Sequence, residues 1–155
     1  MRNILIILAA LLSSLTSAAA GPAKGRDINL ATFNIRYLTP KDTGVRNWET
    51  RKSSCVACIR DESFDIVGLQ EVCEQQQQDL RDMMPEYEFE FVGRDDGING
   101  EAVGIAYRKD RFKALESGRF WLSPTPATPS NAQAWGGPER PRVAIWIAFE
   151  DMTTG

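Results

Sequence analysis

Two polar residues in this sequence interrupt the ends of apolar runs. Asn34 follows Leu30-Ala31-Thr32-Phe33, and Glu71 comes just after Ile66-Val67-Gly68-Leu69. A buried strand cannot end on an unpaired carboxylate without cost. Glu71 therefore reads either as a solvated group at a strand-to-loop boundary or as a metal ligand. The rest of the titratable set narrows the chemistry. The 155 residues contain no His, which removes Ser-His-Asp and Cys-His catalysis, His-liganded zinc and the commonest general base. The three Cys are an odd number, and Cys55-x-x-Cys58 lies inside a helical pattern with no second pair to complete a zinc site. They read as small buried helix residues, as a redox pair or disulfide, or as metal ligands, and the spacing leaves these open.

The neighbouring patterns say how Asn34 and Glu71 are positioned. Residues 27–35 predict a strand with Ile28, Leu30 and Thr32 on one face and Ala31, Phe33 and Ile35 on the other. A loop over 37–47, with turn signals at Thr39-Pro40 and Asp42-Thr43-Gly44, leads to a helix over 48–60. Residues 65–72 follow as a short, nearly continuous apolar run, the pattern of a strand buried on both faces. Strand, helix, strand at this spacing is a βαβ unit with parallel strands. Asn34 and Glu71, 37 positions apart, then emerge on the same sheet edge. The carboxyl end of a parallel sheet is where ligands bind in open α/β folds.

Further along, 74–84 predicts a glutamine-rich helix stopped by Pro85, and 87–93 a half-exposed strand. Asp95 and Asp96 sit in an Arg-Asp-Asp-Gly turn, where they either shape the turn or touch a metal. Residues 101–108 and 113–122 predict two strands joined antiparallel by Lys109-Asp110-Arg111. A loop over 123–141 carries five Pro, and 142–150 is a strong last strand.

Composition sets the context. Arg2, the apolar run over 4–12 and Ser17-Ala18-Ala19-Ala20 read as a signal peptide over 1–20, with Gly21 the first residue after cleavage. The expected location is secreted or periplasmic. The run is too short for a membrane span, and no later one exists. Losing Arg2 leaves 17 basic against 21 acidic residues, a net charge near −4. That balance gives no strong nucleic-acid footprint, although a phosphate-bearing substrate met at a metal remains compatible with it. Residues 21–28 are a linker leading into the first strand, and 29–155 form the domain. The first βα loop has no Gly-x-Gly-x-x-Gly, so a nucleotide-binding Rossmann half is excluded.

Thr32-Phe33-Asn34-Ile35-Arg36 and Ile66-Val67-Gly68-Leu69-Gln70-Glu71-Val72 resemble the first two motifs of the endonuclease/exonuclease/phosphatase superfamily. Gly93-Arg-Asp-Asp-Gly97, Ile105-x-Tyr107-Arg108 and Ser117-Gly-x-Phe120-Trp121-Leu122-Ser123 resemble its exported bacterial members. The resemblance implies an α/β fold: the N-terminal part of a two-sheet α/β sandwich, a mixed sheet with outer helices. It implies Glu71 as the ligand of Mg²⁺ (or Mn²⁺) and Asn34 as the group that orients the scissile phosphate. The family's later His-x-Asp, Asp-x-Asn and Asp-His motifs are absent. The expectation is therefore an N-terminal fragment of a phosphoester hydrolase with an incomplete domain, inactive as it stands. The alternative is a non-catalytic secreted α/β binding module or a truncated pseudogene product. The phosphoester is of open class: nucleic acid, lipid head group or sugar phosphate, diester or monoester.

Overall fold

The structure, a computed structural model, describes residues 27–153. The signal peptide read at 1–20 lies outside the described residues. β1 (Leu30–Asn34) and β2 (Ile66–Val72) pair in parallel, with Asn34 opposite Gln70. Between them α1 (Trp48–Asp61) starts at Asn47, whose side chain accepts from the Glu49 backbone N–H and so satisfies one orphan donor of the first turn. α2 (Glu74–Met83) starts at Cys73 through a capping box: the Gln76 side chain reaches back to accept from the Cys73 backbone N–H at 3.0 Å. β3 (Tyr87–Gly93) and β4 (Ala102–Arg108) complete a four-stranded sheet of order β1-β2-β4-β3, antiparallel beyond the first pair. The mixed sheet with outer helices is as the sequence predicts.

The core follows from which faces are apolar. Trp48, Val56 and Ile59 of α1 and Leu80 of α2 bury against Val67, Leu69 and Val72 of β2 and Ala106 of β4. β5 (Phe112–Trp121) and β6 (Val143–Asp151) form a second, two-stranded antiparallel sheet on the opposite face. It rests on the β3–β4 side, where Val92, Trp121 and Val143 form a small cluster and the Tyr107 and Phe149 rings meet edge to face at 4.7 Å.

Two expectations are corrected here. β2 is not buried on both faces. Val67, Leu69 and Val72 are buried against the helices, while Ile66, Gly68 and Gln70 are only half-covered, because the second sheet sits over β3 and β4 and leaves the β1–β2 face open. Leu30, on that open face, is 64% exposed. Second, the strands flanking Lys109-Asp110-Arg111 do not pair with each other. β4 belongs to the first sheet and β5 to the second, so the connection passes between layers.

That crossing depends on Arg111. Its guanidinium is buried and donates to Asp65 at 2.7 Å, to Asp151 at 2.8 Å and to the Asp27 carbonyl at 3.0 Å. Asp65 precedes β2 and Asp151 ends β6, so a single side chain ties the two sheets and the entry to β1. Breaking a buried pair strands the remaining charge. Arg111→Met is therefore expected to destabilise the domain by about 3–5 kcal/mol, read as a lower urea midpoint. The hydrogen bonds from Arg111 hold the Asp151 carboxyl well below its ordinary value of 3.8. A depressed carboxylate contributes stability that is fully present above its unfolded value and lost as the pH falls through the folded one. The urea midpoint should thus fall below about pH 4, and Asp151→Asn should flatten that part of the profile.

Candidate active site

β1 and β2 deliver Asn34 and Glu71 to one edge, and the two side chains meet. Asn34 Nδ2 donates to Glu71 Oε1 at 2.9 Å, and the Tyr37 backbone N–H donates to Glu71 Oε2 at 3.1 Å. Simple alternation would send Glu71 to the face opposite Gln70. Instead β2 is irregular between Leu69 and Val72 in its pairing with β4, and Glu71 adopts φ +60°. A bulge of this kind re-aims a side chain, here toward Asn34. For a residue with a Cβ the left-handed region is unfavourable, so the surrounding structure must impose it.

The imposing contacts lie behind the loop that follows β1. Arg36 also has a left-handed backbone, φ +60°, and its N–H donates to Asn34 Oδ1 at 2.9 Å. Its carbonyl is clasped by Arg51 Nη2 at 2.7 Å and Gln76 Nε2 at 2.9 Å. Arg51 also donates to the Ile35 carbonyl and lies over the Trp48 ring, 4.9 Å from its centroid. The Arg36 guanidinium forks onto buried Asp42, with both bonds at 2.6 Å. The loop that presents the Tyr37 N–H to Glu71 is thus fastened to both helices.

The electrostatics keep Glu71 ionised. Its carboxyl is held below the ordinary range first by the Asn34 hydrogen bond, then by the Tyr37 N–H and the positive charges of Arg36 and Arg142, against the opposing effect of burial. Glu71 lines a cavity of about 230 Å³ with Asn34, Gln70, Arg94, Glu101 and Arg142. Among the described residues no three His, Cys, Asp or Glu groups converge, which does not suit zinc. Mg²⁺ and Mn²⁺ take one or two carboxylates and complete their shell with waters and phosphate oxygens. An ionised Glu71, with Glu101 on the same cavity, fits such an ion.

Other candidates resolve differently. Asp96 caps its own turn, accepting from the Ile98 and Asn99 backbone N–H groups at 2.8 and 2.7 Å, while Gly97 supplies φ +97°. Asp95 lies 3.5 Å from Arg94 Nε. Asp96 therefore shapes the turn, and Asp95 pairs with Arg94. The three thiols are free: Cys55 is buried, which pushes its pKa up, Cys58 is exposed, and Cys73 begins α2. Sequence reasoning missed Arg36, Arg51, Gln76, Arg94, Glu101 and Arg142. Only Gln76 carried a readable signal, its capping-box spacing from Cys73.

Comparison with known proteins places this arrangement. A family model described as the endonuclease/exonuclease/phosphatase family matches residues 31–149. A crystal structure of a protein of that description from Bacteroides vulgatus is 42% identical, with a TM-score of 0.76 over 84% of this chain and 49% of its own. A mannosyl-6-phosphatase from Bacteroides thetaiotaomicron is 35% identical, with a TM-score of 0.75 over 83% of this chain and 48% of its own. An uncharacterised protein of Acanthamoeba polyphaga mimivirus is 29% identical over 119 residues, covering 66% of this chain and 17% of its own. The chain spans about half the length of the solved relatives.

The backbone at Glu71 can be tested apart from its carboxylate. Glu71→Gly and Glu71→Ala both delete the ligand, but only Ala keeps a Cβ at φ +60°. The Gly variant should be more stable by about 1 kcal/mol. Equal urea midpoints would mean that the bulge relaxes once the carboxylate is gone.

Proposed function

Because this chain belongs to the endonuclease/exonuclease/phosphatase family, we propose that its site is the metal- and phosphate-holding half of a phosphoester hydrolase. The observation that carries this reading is the convergence of Glu71, kept ionised, with Asn34 at the carboxyl end of two parallel strands. Glu71 would hold Mg²⁺ or Mn²⁺, which when bound supplies Lewis-acid polarisation of a phosphoryl oxygen and a fixed geometry for water attack.

The chain's own residues do the rest of what it contributes. Asn34, which lines the cavity, donates one amide hydrogen to Glu71, and its second would be the donor for a phosphate oxygen. The Tyr37 N–H fixes the other carboxylate oxygen, so the ligand cannot rotate away. Water activation and leaving-group protonation need groups beyond these, and the sequence has no His to provide them. Turnover by these residues alone is accordingly proposed to stay at background. The absence of His also favours a second reading, a non-catalytic binding module built on the same site. A sugar phosphate, one of the substrate classes left open by the sequence, gains support because one relative is a mannosyl-6-phosphatase. Export through residues 1–20, to the periplasm or beyond, is part of the proposal.

Metal titration tests the core of it. Mn²⁺ binding, followed by electron paramagnetic resonance, should weaken at least roughly tenfold in Glu71→Gln, which keeps shape but loses the anionic ligand. Unchanged affinity would remove the metal role. In Mg²⁺, hydrolysis of bis(p-nitrophenyl) phosphate should not exceed background, and Asn34→Ala, which removes the amide that orients Glu71, should weaken both metal and phosphate binding. Clear turnover abolished by Glu71→Gln would show that these residues suffice for catalysis.

A further inference from the structure

The cavity holds more charge than a metal ligand and an amide require. Two carboxylates, Glu71 and Glu101, and two guanidinium groups, Arg94 and Arg142, line it together. Their formal charges cancel. Resting on the proposed phosphoester reading, we infer that this cavity is built for the dianion of a phosphate monoester, with Arg142 and Arg94 as the groups that grip its non-bridging oxygens.

Three features carry the assignment. The first is balance: a divalent cation on Glu71 raises the cavity from neutral to +2. A monoester carrying up to two negative charges neutralises that, whereas a diester, with one, leaves a positive charge in a partly desolvated space. The second is donor supply. Arg142 immediately precedes β6 and, among the described residues, forms no ion pair with a carboxylate, yet its charge acts on Glu71. Arg94 is only 11% exposed; its Nη1 donates to Glu101 at 2.7 Å, and its buried Nε makes no hydrogen bond but lies 3.5 Å from the Asp95 carboxylate. Glu101 and Asp95 thereby hold the Arg94 guanidinium at the cavity wall, the planar cation that suits phosphate oxygens. The third is size. About 230 Å³ is roughly eight water volumes, enough for a phosphoryl group and a hydrated ion.

The test compares methyl phosphate with dimethyl phosphate on the full chain in saturating Mg²⁺ at pH 8, where a monoester carries roughly two charges. Binding is read by calorimetry. Methyl phosphate should bind at least about tenfold tighter, and Arg142→Gln should remove most of that preference, as expected for one charged hydrogen-bonding partner. Arg142→Lys should retain part of it, and Mg²⁺ affinity without phosphate should not fall in Arg142→Gln, because losing a cation beside Glu71 does not weaken cation binding there. Arg94→Lys, which keeps the charge and loses the fork, should also reduce the preference; circular dichroism checks its fold. Equal binding of the two esters, or a preference untouched by Arg142→Gln, would overturn the monoester assignment while Glu71-dependent Mg²⁺ binding kept the phosphoester reading in place. If neither ester binds, or if binding ignores both Mg²⁺ and Glu71→Gln, the underlying reading falls together with the inference.

Discussion

Everything in this chain is arranged around one buried guanidinium. Arg111 sits between the two sheets, and it satisfies its donors on Asp65, Asp151 and the Asp27 carbonyl. A buried cation is tolerable only with such partners. Meeting that requirement brings together the entry to β1, the start of β2, the start of β5 and the end of β6. A second tie stands further along the sandwich, where Trp121 Nε1 donates to the Arg94 carbonyl at 2.7 Å. The opposite end of β1 and β2 is left for the cavity, and Arg94 belongs to both the tie and the cavity wall.

At the site, strain and support are matched. Two residues with Cβ atoms, Arg36 and Glu71, hold left-handed backbones on neighbouring strand ends. Such conformations persist where surrounding contacts over-determine them. Here the contacts are those of Arg51 and Gln76 on the Arg36 carbonyl, and of Asn34 and Tyr37 on the Glu71 carboxylate. Both helices therefore serve the site as well as the core. Gln76 is fully buried in a helix that is otherwise polar, because one of its two polar ends caps α2 and the other holds the loop. An unsatisfied amide there would be costly, so helix start and site loop form together.

The two-stranded second sheet covers only part of the first. Within β5 only Phe112 and Trp121, at its ends, are buried, while Phe120 and Trp146 remain 41% exposed. With Leu30 on the open β1–β2 face, these side chains forgo burial worth about 1.5–3 kcal/mol each when complete, against a typical domain stability of about 5–15 kcal/mol. The chain's coverage of about half of its solved relatives is in keeping with a partly covered sandwich.

The sequence by itself determined the βαβ unit and the strand ends at Asn34 and Glu71. These depend on local periodicity and residue type, which a linear reading carries. The helix over 48–60 and the strands at 87–93 and 142–150 were legible for the same reason, each agreeing with the structure to within a residue or two at its ends. Tertiary structure decided what depends on groups far apart in the chain. Lys109-Asp110-Arg111 looks like any hairpin turn until Asp65 and Asp151 converge on Arg111, 46 and 40 residues away. Glu71 follows strand alternation in sequence but points elsewhere, because a bulge against β4 turns it. Glu101 and Arg142 gave no local signal, since a charged residue beside a strand is ordinarily solvated, and Arg94 was legible only as part of the turn motif at 93–97. Only the packing of β6 over β3 and β4 encloses them with Glu71 in one cavity, where burial and mutual charge give them a role.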